Sequence, residues 1–195
     1  MTTSWPDMAY AIGFITRHNH DPSNDHIVAV KRVFLYLSGK KDWHLDFWGE
    51  GVLKCYVDSD CAECPDDYRL TSELVITFRG VVDWQSRKQM FTTQFTNDTT
   101  YDSLGVGCMR VSQMSHLLNE LAILSTPPVF TNSQTLMASI RFRIYCWTAL
   151  VHVETKYWLA ADMARDEEIN LCYVPTANML TDCFTKPLPK SPWVR

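Results

Sequence analysis

The sequence predicts a mixed α/β domain, a sheet flanked by helices and preceded by a helical N-terminal segment. Three observations predict it. Apolar residues recur at helical spacing through the N-terminal part of the chain. The middle switches to an alternation of apolar and polar residues, the period of half-buried strands. The C-terminal half then runs through helix, strand and helix again, the pattern of a sheet covered by helices.

The elements follow in order. Met8, Ile12 and Ile15 share one face of a helix over Pro6 to Thr16. A second helix opens at Asp21-Pro22, with Asp21 as cap and Pro22 at the first helical position. Ile27, Val30, Phe34 and Leu37 line its inner face as core, and Gly39 ends it. Trp43, Leu45 and Phe47 alternate with His44 and Asp46, as in a half-buried strand. Leu53 to Val57, Leu74 to Phe78 and Val81 to Trp84 are the next strands, the last two joined by a turn at Arg79-Gly80. Met114, Leu117, Leu118 and Leu121 mark a helix that reaches about Leu124 and stops before Pro127-Pro128. A short buried strand spans Pro128 to Thr131. The helix from His152 to about Glu167 carries Tyr157, Ala160, Ala161 and Ala164 as its apolar stripe. Ile169 to Val174 is a strand, and Asn178 to Phe184 a closing helix. The chain has no internal repeat and no low-complexity run. Its boundary falls at Gly49-Glu50-Gly51 or just before Trp43.

With 46% hydrophobic and 21% charged residues over 195 positions, the chain can bury a substantial core and is not of disordered composition. Its apolar runs are short and broken by charge, so no membrane span and no secretory signal are expected. A net charge of −4 does not attract phosphates by itself; any nucleic-acid surface must be a local one. Lys31-Arg32, Lys40-Lys41 and Arg87-Lys88 are the local basic pairs. Seven cysteines, an odd count, point to free thiols in a reducing compartment. Cys61 and Cys64 have metal-like spacing, but a lone pair cannot close a tetrahedral zinc shell. His18 and His20 are solvated loop residues, His152 is structural, and Trp84 packs the sheet.

The most informative segment is Tyr56-Val57-Asp58-Ser59-Asp60, a strand whose two carboxylates are spaced to face one side. Tyr36-Leu37-Ser38-Gly39 precedes it; Trp84-Gln85-Ser86, His152-Val153-Glu154-Thr155-Lys156-Tyr157 and Thr185-Lys186-Pro187-Leu188-Pro189 follow in order. This series resembles the C-terminal part of copia-type retrotransposon Pol polyproteins, over nearly the whole chain. The resemblance implies a ribonuclease H-like fold with a mixed five-stranded sheet over residues 43–190. It makes 1–42 the helical tail of the reverse transcriptase and 191–195 a C-terminal tail. The Tyr-x-Asp-Asp hairpin of the polymerase is absent.

Enzymes of that family cleave the RNA of RNA–DNA hybrids with two magnesium ions, which need several convergent carboxylates. By the resemblance, Asp58 and Asp182 are retained metal-binding and catalytic acids. Thr100 stands where the family has glutamate, and Asn132 where it has aspartate. Asp98 and Asp102 lie about 200° around a helix from Thr100 in either direction, together on the opposite face. The family's basic run is here Asp66-Asp67-Tyr68-Arg69-Leu70-Thr71-Ser72-Glu73, with tyrosine at a basic position and glutamate for a strand glycine. Met137 to Leu150, expected as a polar-faced helix and loop, is instead apolar. Arg69, Arg87 and Lys88 are the candidate nucleic-acid contacts.

The expectation is a degenerate ribonuclease H domain, inactive or severely impaired, with magnesium binding lost or reduced to one weak ion. An active enzyme using a shifted acid set, Asp98 or Asp102 included, is the alternative; a non-catalytic nucleic-acid-binding or structural module is another. The implied partners are an RNA–DNA hybrid and the reverse transcriptase portion of Pol, with no membrane and no small-molecule cofactor. The implied location is intracellular, in the cytoplasm or a virus-like particle.

Overall fold

A computed structural model of the chain describes residues 4–60, 70–89, 96–123, 125–144 and 151–181. After a single turn at Pro6–Met8 come helices α1 (Ala9–Thr16) and α2 (Asn24–Gly39). Strands β1 (Lys54–Asp60), β2 (Thr71–Thr77) and β3 (Val81–Lys88) follow, then helix α3 (Thr96–Glu120). Strand β4 (Pro128–Thr131), helices α4 (Gln134–Phe142) and α5 (Val151–Arg165), strand β5 (Asn170–Tyr173) and a turn at Thr176–Asn178 complete it.

The sheet has the order β3-β2-β1-β4-β5. β1, β2 and β3 form an antiparallel meander, whereas β4 and β5 join β1 in parallel. This is the mixed five-stranded sheet with flanking helices that the sequence implies. Alternation along the strands sorts the two faces. Cys55, Val57, Leu74 and Ile76 join Leu104, Cys108 and Val111 of α3 and Tyr157, Ala160 and Ala161 of α5 in the main core. Gly107 lets α3 lie this close: a Cβ there would stand 2.4 Å from Val57 Cγ1. On the other face Val75 and Val81 pack with Ala9 of α1, flanked by Tyr56 and Trp84. Trp84 is a packing residue, as expected.

Several expectations are corrected. Trp43 to Phe47 forms no strand; Leu45 makes only an isolated bridge. Instead the chain just beyond it clamps the β2–β3 turn, where Gly49 N–H donates to Arg79 O at 2.7 Å and Arg79 N–H to Glu50 O at 2.9 Å. Arg79 sits at φ 63°, and a Cβ on Gly80 would be 2.2 Å from Asp46 O, so this close approach requires glycine. The second helix starts two residues later than Asp21-Pro22 suggests. Ser23 is its cap, and its N–H donates to His26 Nδ1 at 3.0 Å, a histidine in the role glutamate usually fills. No residue of α2 is buried; Phe34 and Leu35 are 58% and 71% exposed, so its apolar face is not core. The helix containing Met114 begins far earlier, at Thr96, and ends at Glu120. The closing helix expected over Asn178 to Phe184 lies partly outside the described residues, which hold a single turn at Thr176–Asn178 and end at Thr181.

Candidate active site

Because β1 and β4 run in parallel, their C-terminal ends open on the same edge of the sheet. Register pairs Tyr56 with Phe130, and their rings stack 4.8 Å apart. Two residues further along each chain, Asn132 Nδ2 donates to Asp58 Oδ2 at 2.9 Å. The other carboxylate oxygen, Oδ1, accepts from Ser59 N–H at 2.7 Å. The start of α3 reaches the same end of β1, where Thr100 Oγ1 lies 2.9 Å and Thr99 Oγ1 3.4 Å from Ser59 Oγ. The structure thus brings Asp58 and Asn132 together directly, and Thr100 beside them through Ser59. An amide whose N–H bonds a carboxylate presents a donor there, where an aspartate would present a second negative charge.

Asp102 is engaged away from this point. Asp102 makes an ion pair with Lys156 of α5 and joins the two helices. Asp98 is buried, and that burial raises its pKa above the usual aspartate value. Asp182, Arg69, Cys61 and Cys64 lie outside the described residues. Among the described residues, no group of three His, Cys, Asp or Glu side chains could hold a metal ion.

A residue that the sequence marked only as a substitution lies beside Asp58. Glu73 of β2 is its direct partner across the antiparallel ladder and is only 1% exposed. Residues opposed in such a ladder share a face, so a second carboxylate stands next to Asp58. The signal was visible as the glutamate in place of the family's strand glycine.

Arg87 and Lys88 end β3 and border a cleft of about 610 Å³ between β2, β3 and α3. Its lining includes Ser72, Gln85, Gln89, Ser103, Arg110 and Lys156. Arg110 is held by Asp83 at 2.7 Å. Sequence reasoning named the two basic residues but missed the glutamines; their alternation along Asp83-Trp84-Gln85-Ser86-Arg87 marked a polar row on one strand face.

No family model matches the chain. Over 188 residues, 94% of its length, it is 29% identical to the retrovirus-related Pol polyprotein from transposon RE2 of Arabidopsis thaliana. The chain is a homologue of copia-type transposon Pol polyproteins. It spans 13% of the length of the RE2 polyprotein. A stretch of 107 residues is also 32% identical to Secreted RxLR effector protein 161 of Plasmopara viticola, covering 53% of this chain and 75% of that protein. Among solved structures, the chain is similar to a ribonuclease H1 isolated from compost by a metagenomic approach. The identity is 13% and the TM-score 0.49, over 65% of this chain and 86% of that one. Among the described residues, no helix of this Pol homologue is long and apolar enough to cross a membrane.

Proposed function

We propose that the chain is a degenerate ribonuclease H portion of a copia-type Pol protein, descended from a two-magnesium nuclease acting on RNA–DNA hybrids and now inactive or severely impaired in cleavage. The observation that carries this reading is the 2.9 Å hydrogen bond from Asn132 Nδ2 to Asp58 Oδ2. A magnesium ion at Asp58 needs lone pairs turned toward it, and an amide N–H occupies one of them. At the other replaced position, Thr100 offers a hydroxyl engaged with Ser59 and no charge. The residues present therefore do not fit a two-magnesium centre, with Asp182 as the one further ancestral acid.

The alternative of a shifted acid set finds little support. Lys156 neutralises Asp102, and burial favours the protonated form of Asp98. In this reading residues 1–42 are the tail of the reverse transcriptase, 43–190 the ribonuclease H-like domain and 191–195 a tail. The partners are the polymerase portion of Pol and, through Arg69, Arg87 and Lys88, nucleic acid; the setting is intracellular.

The test is incubation of the full chain with a labelled RNA–DNA hybrid in magnesium and in manganese. The expected result is no cleavage above the blank. Cleavage by the unaltered chain, abolished in Asp58→Asn, would overturn the reading and reinstate an active enzyme.

A further inference from the structure

Helix α2 is apolar on both sides, and among the described residues only one side is covered. Ala29, Val30, Val33 and Leu37 lie on the side that leans on α1 and are half-buried. On the opposite side Ile27, Val28, Lys31, Phe34, Leu35 and Ser38 recur at helical spacing and form one exposed stripe. A helix with apolar residues all round is normally covered all round.

A second exposed stripe lies on α3. Gln113, Leu117 and Glu120 share its outer side, Leu117 being 60% exposed, and Leu121 and Ile123 continue the apolar patch past the helix end. The two stripes match when the helices run antiparallel. From Lys31 the steps to Phe34 and Ser38 are three and four residues; from Glu120 back to Leu117 and Gln113 they are also three and four. At 1.5 Å per residue each set spans about 10 Å. In that register an ammonium meets a carboxylate, Phe34 meets Leu117 and Ser38 meets Gln113, while Ile27 and Val28 reach Leu121 and Ile123. Among the described residues the side chains of Lys31 and Glu120 have no ion-pair partner. Antiparallel helices also set their macrodipoles favourably against each other.

The two stripes cannot meet within one chain. α1, which carries α2, packs through Ala9 on the Val75 and Val81 face of the sheet, whereas α3 covers the face of Val57, Leu74 and Ile76. A contact between the stripes therefore joins two copies, and because it uses a different surface on each it is head-to-tail. Such a contact leaves one stripe open at each end and can propagate.

We propose that α2 of one copy of this chain packs antiparallel on α3 of a second copy, Lys31 against Glu120 and Phe34 against Leu117. The contact needs neither metal nor nucleic acid, so the cleavage assay does not bear on it.

The experiment is sedimentation equilibrium of the full chain over a range of concentrations. The weight-average mass is expected to rise past that of a dimer, with half-association at about 10–100 μM for a contact of one helix pair. Lys31→Glu and Glu120→Lys are each expected to weaken association about tenfold, since each sets like charges opposite one another. The Lys31→Glu/Glu120→Lys double variant is expected to regain it to within about threefold, because the pair is restored with its signs exchanged. Both side chains are exposed, so all three variants should melt with the parent. A mass that stays monomeric, or that stops at the dimer, would overturn the proposal. So would a double variant that associates as weakly as the single ones.

Discussion

Placing acids at both positions, in the Thr100→Glu/Asn132→Asp variant, is expected to make the chain less stable without magnesium and more stable with it. Asn132→Asp removes the amide donor from Asp58 and sets a second carboxylate in its place. The lost hydrogen bond is worth about 0.5–1.5 kcal/mol, and carboxylate repulsion adds to it. Thr100→Glu brings a further negative charge beside Ser59, while Glu73 already stands across the ladder from Asp58. A total loss of about 2–3 kcal/mol follows, read as a lower melting temperature in chelator. Magnesium binds the folded acid cluster and not the unfolded chain, so it should recover that loss in the variant and leave the unaltered chain unmoved. Hybrid cleavage should rise at least about a hundredfold over the unaltered chain, with the metal stabilising the leaving oxygen. If melting temperature and magnesium response are the same in both proteins, the site has been misplaced.

The second large effect is one of packing. Gly107→Val is expected to prevent folding, and Gly107→Ala to cost about 2 kcal/mol despite alanine's better helix propensity. A Cβ at this position would meet Val57 Cγ1 at 2.4 Å, Cys55 Sγ at 3.3 Å and Leu74 Cδ1 at 3.4 Å. All three belong to the buried sheet face, so no side chain there can swing aside into solvent. The whole of α3 would have to lift from the sheet, taking Thr100 away from Ser59. Gly13→Ala is the control: nothing lies within 4 Å of its Cβ position, and about 1 kcal/mol should be gained at most. Urea denaturation measures all three. In a Val57→Ala background the cost of Gly107→Ala should shrink well below additivity, because the clashing methyl is gone. A Gly107→Ala chain as stable as the parent would refute the close-packing account.

How far the sequence disclosed this molecule depends on what kind of signal each part carried. Strands β1 to β3 were legible because alternation and a turn dipeptide are local properties, and α5 because Tyr157, Ala160 and Ala161 repeat at helical spacing. Trp43 to Phe47 alternates just as well, yet becomes a clamp on the Arg79-Gly80 turn. Alternation reports which side is apolar, not whether a neighbouring strand is there to pair with. The apolar face of α2 misled for a related reason: periodicity shows that a face is suited to burial and cannot show what covers it. Asp58, Thr100 and Asn132 were singled out by their flanking residues, and the fold sets Asn132 against Asp58 and Thr100 against Ser59. Glu73 was legible as a substitution but not as a neighbour of Asp58, since cross-strand register is fixed by tertiary pairing. Gln89's fixed amide depends on Thr99's carbonyl, which no side-chain pattern encodes.

The sheet order also bears on how the chain assembles. The meander of β1, β2 and β3 closes through contacts near in sequence, which form early at small entropic cost. The parallel pairing of β1 with β4 instead joins residues about seventy positions apart, and must wait until α3 has crossed the sheet. Two carboxylates at positions 58 and 132 would be driven together by that late step before any metal arrived. In this chain the same step forms a hydrogen bond between Asn132 and Asp58. On the proposed descent, an amide in place of a carboxylate at Asn132 removes an electrostatic obstacle from this late pairing, and the Thr100→Glu/Asn132→Asp variant should refold more slowly than the parent in stopped-flow measurements without magnesium.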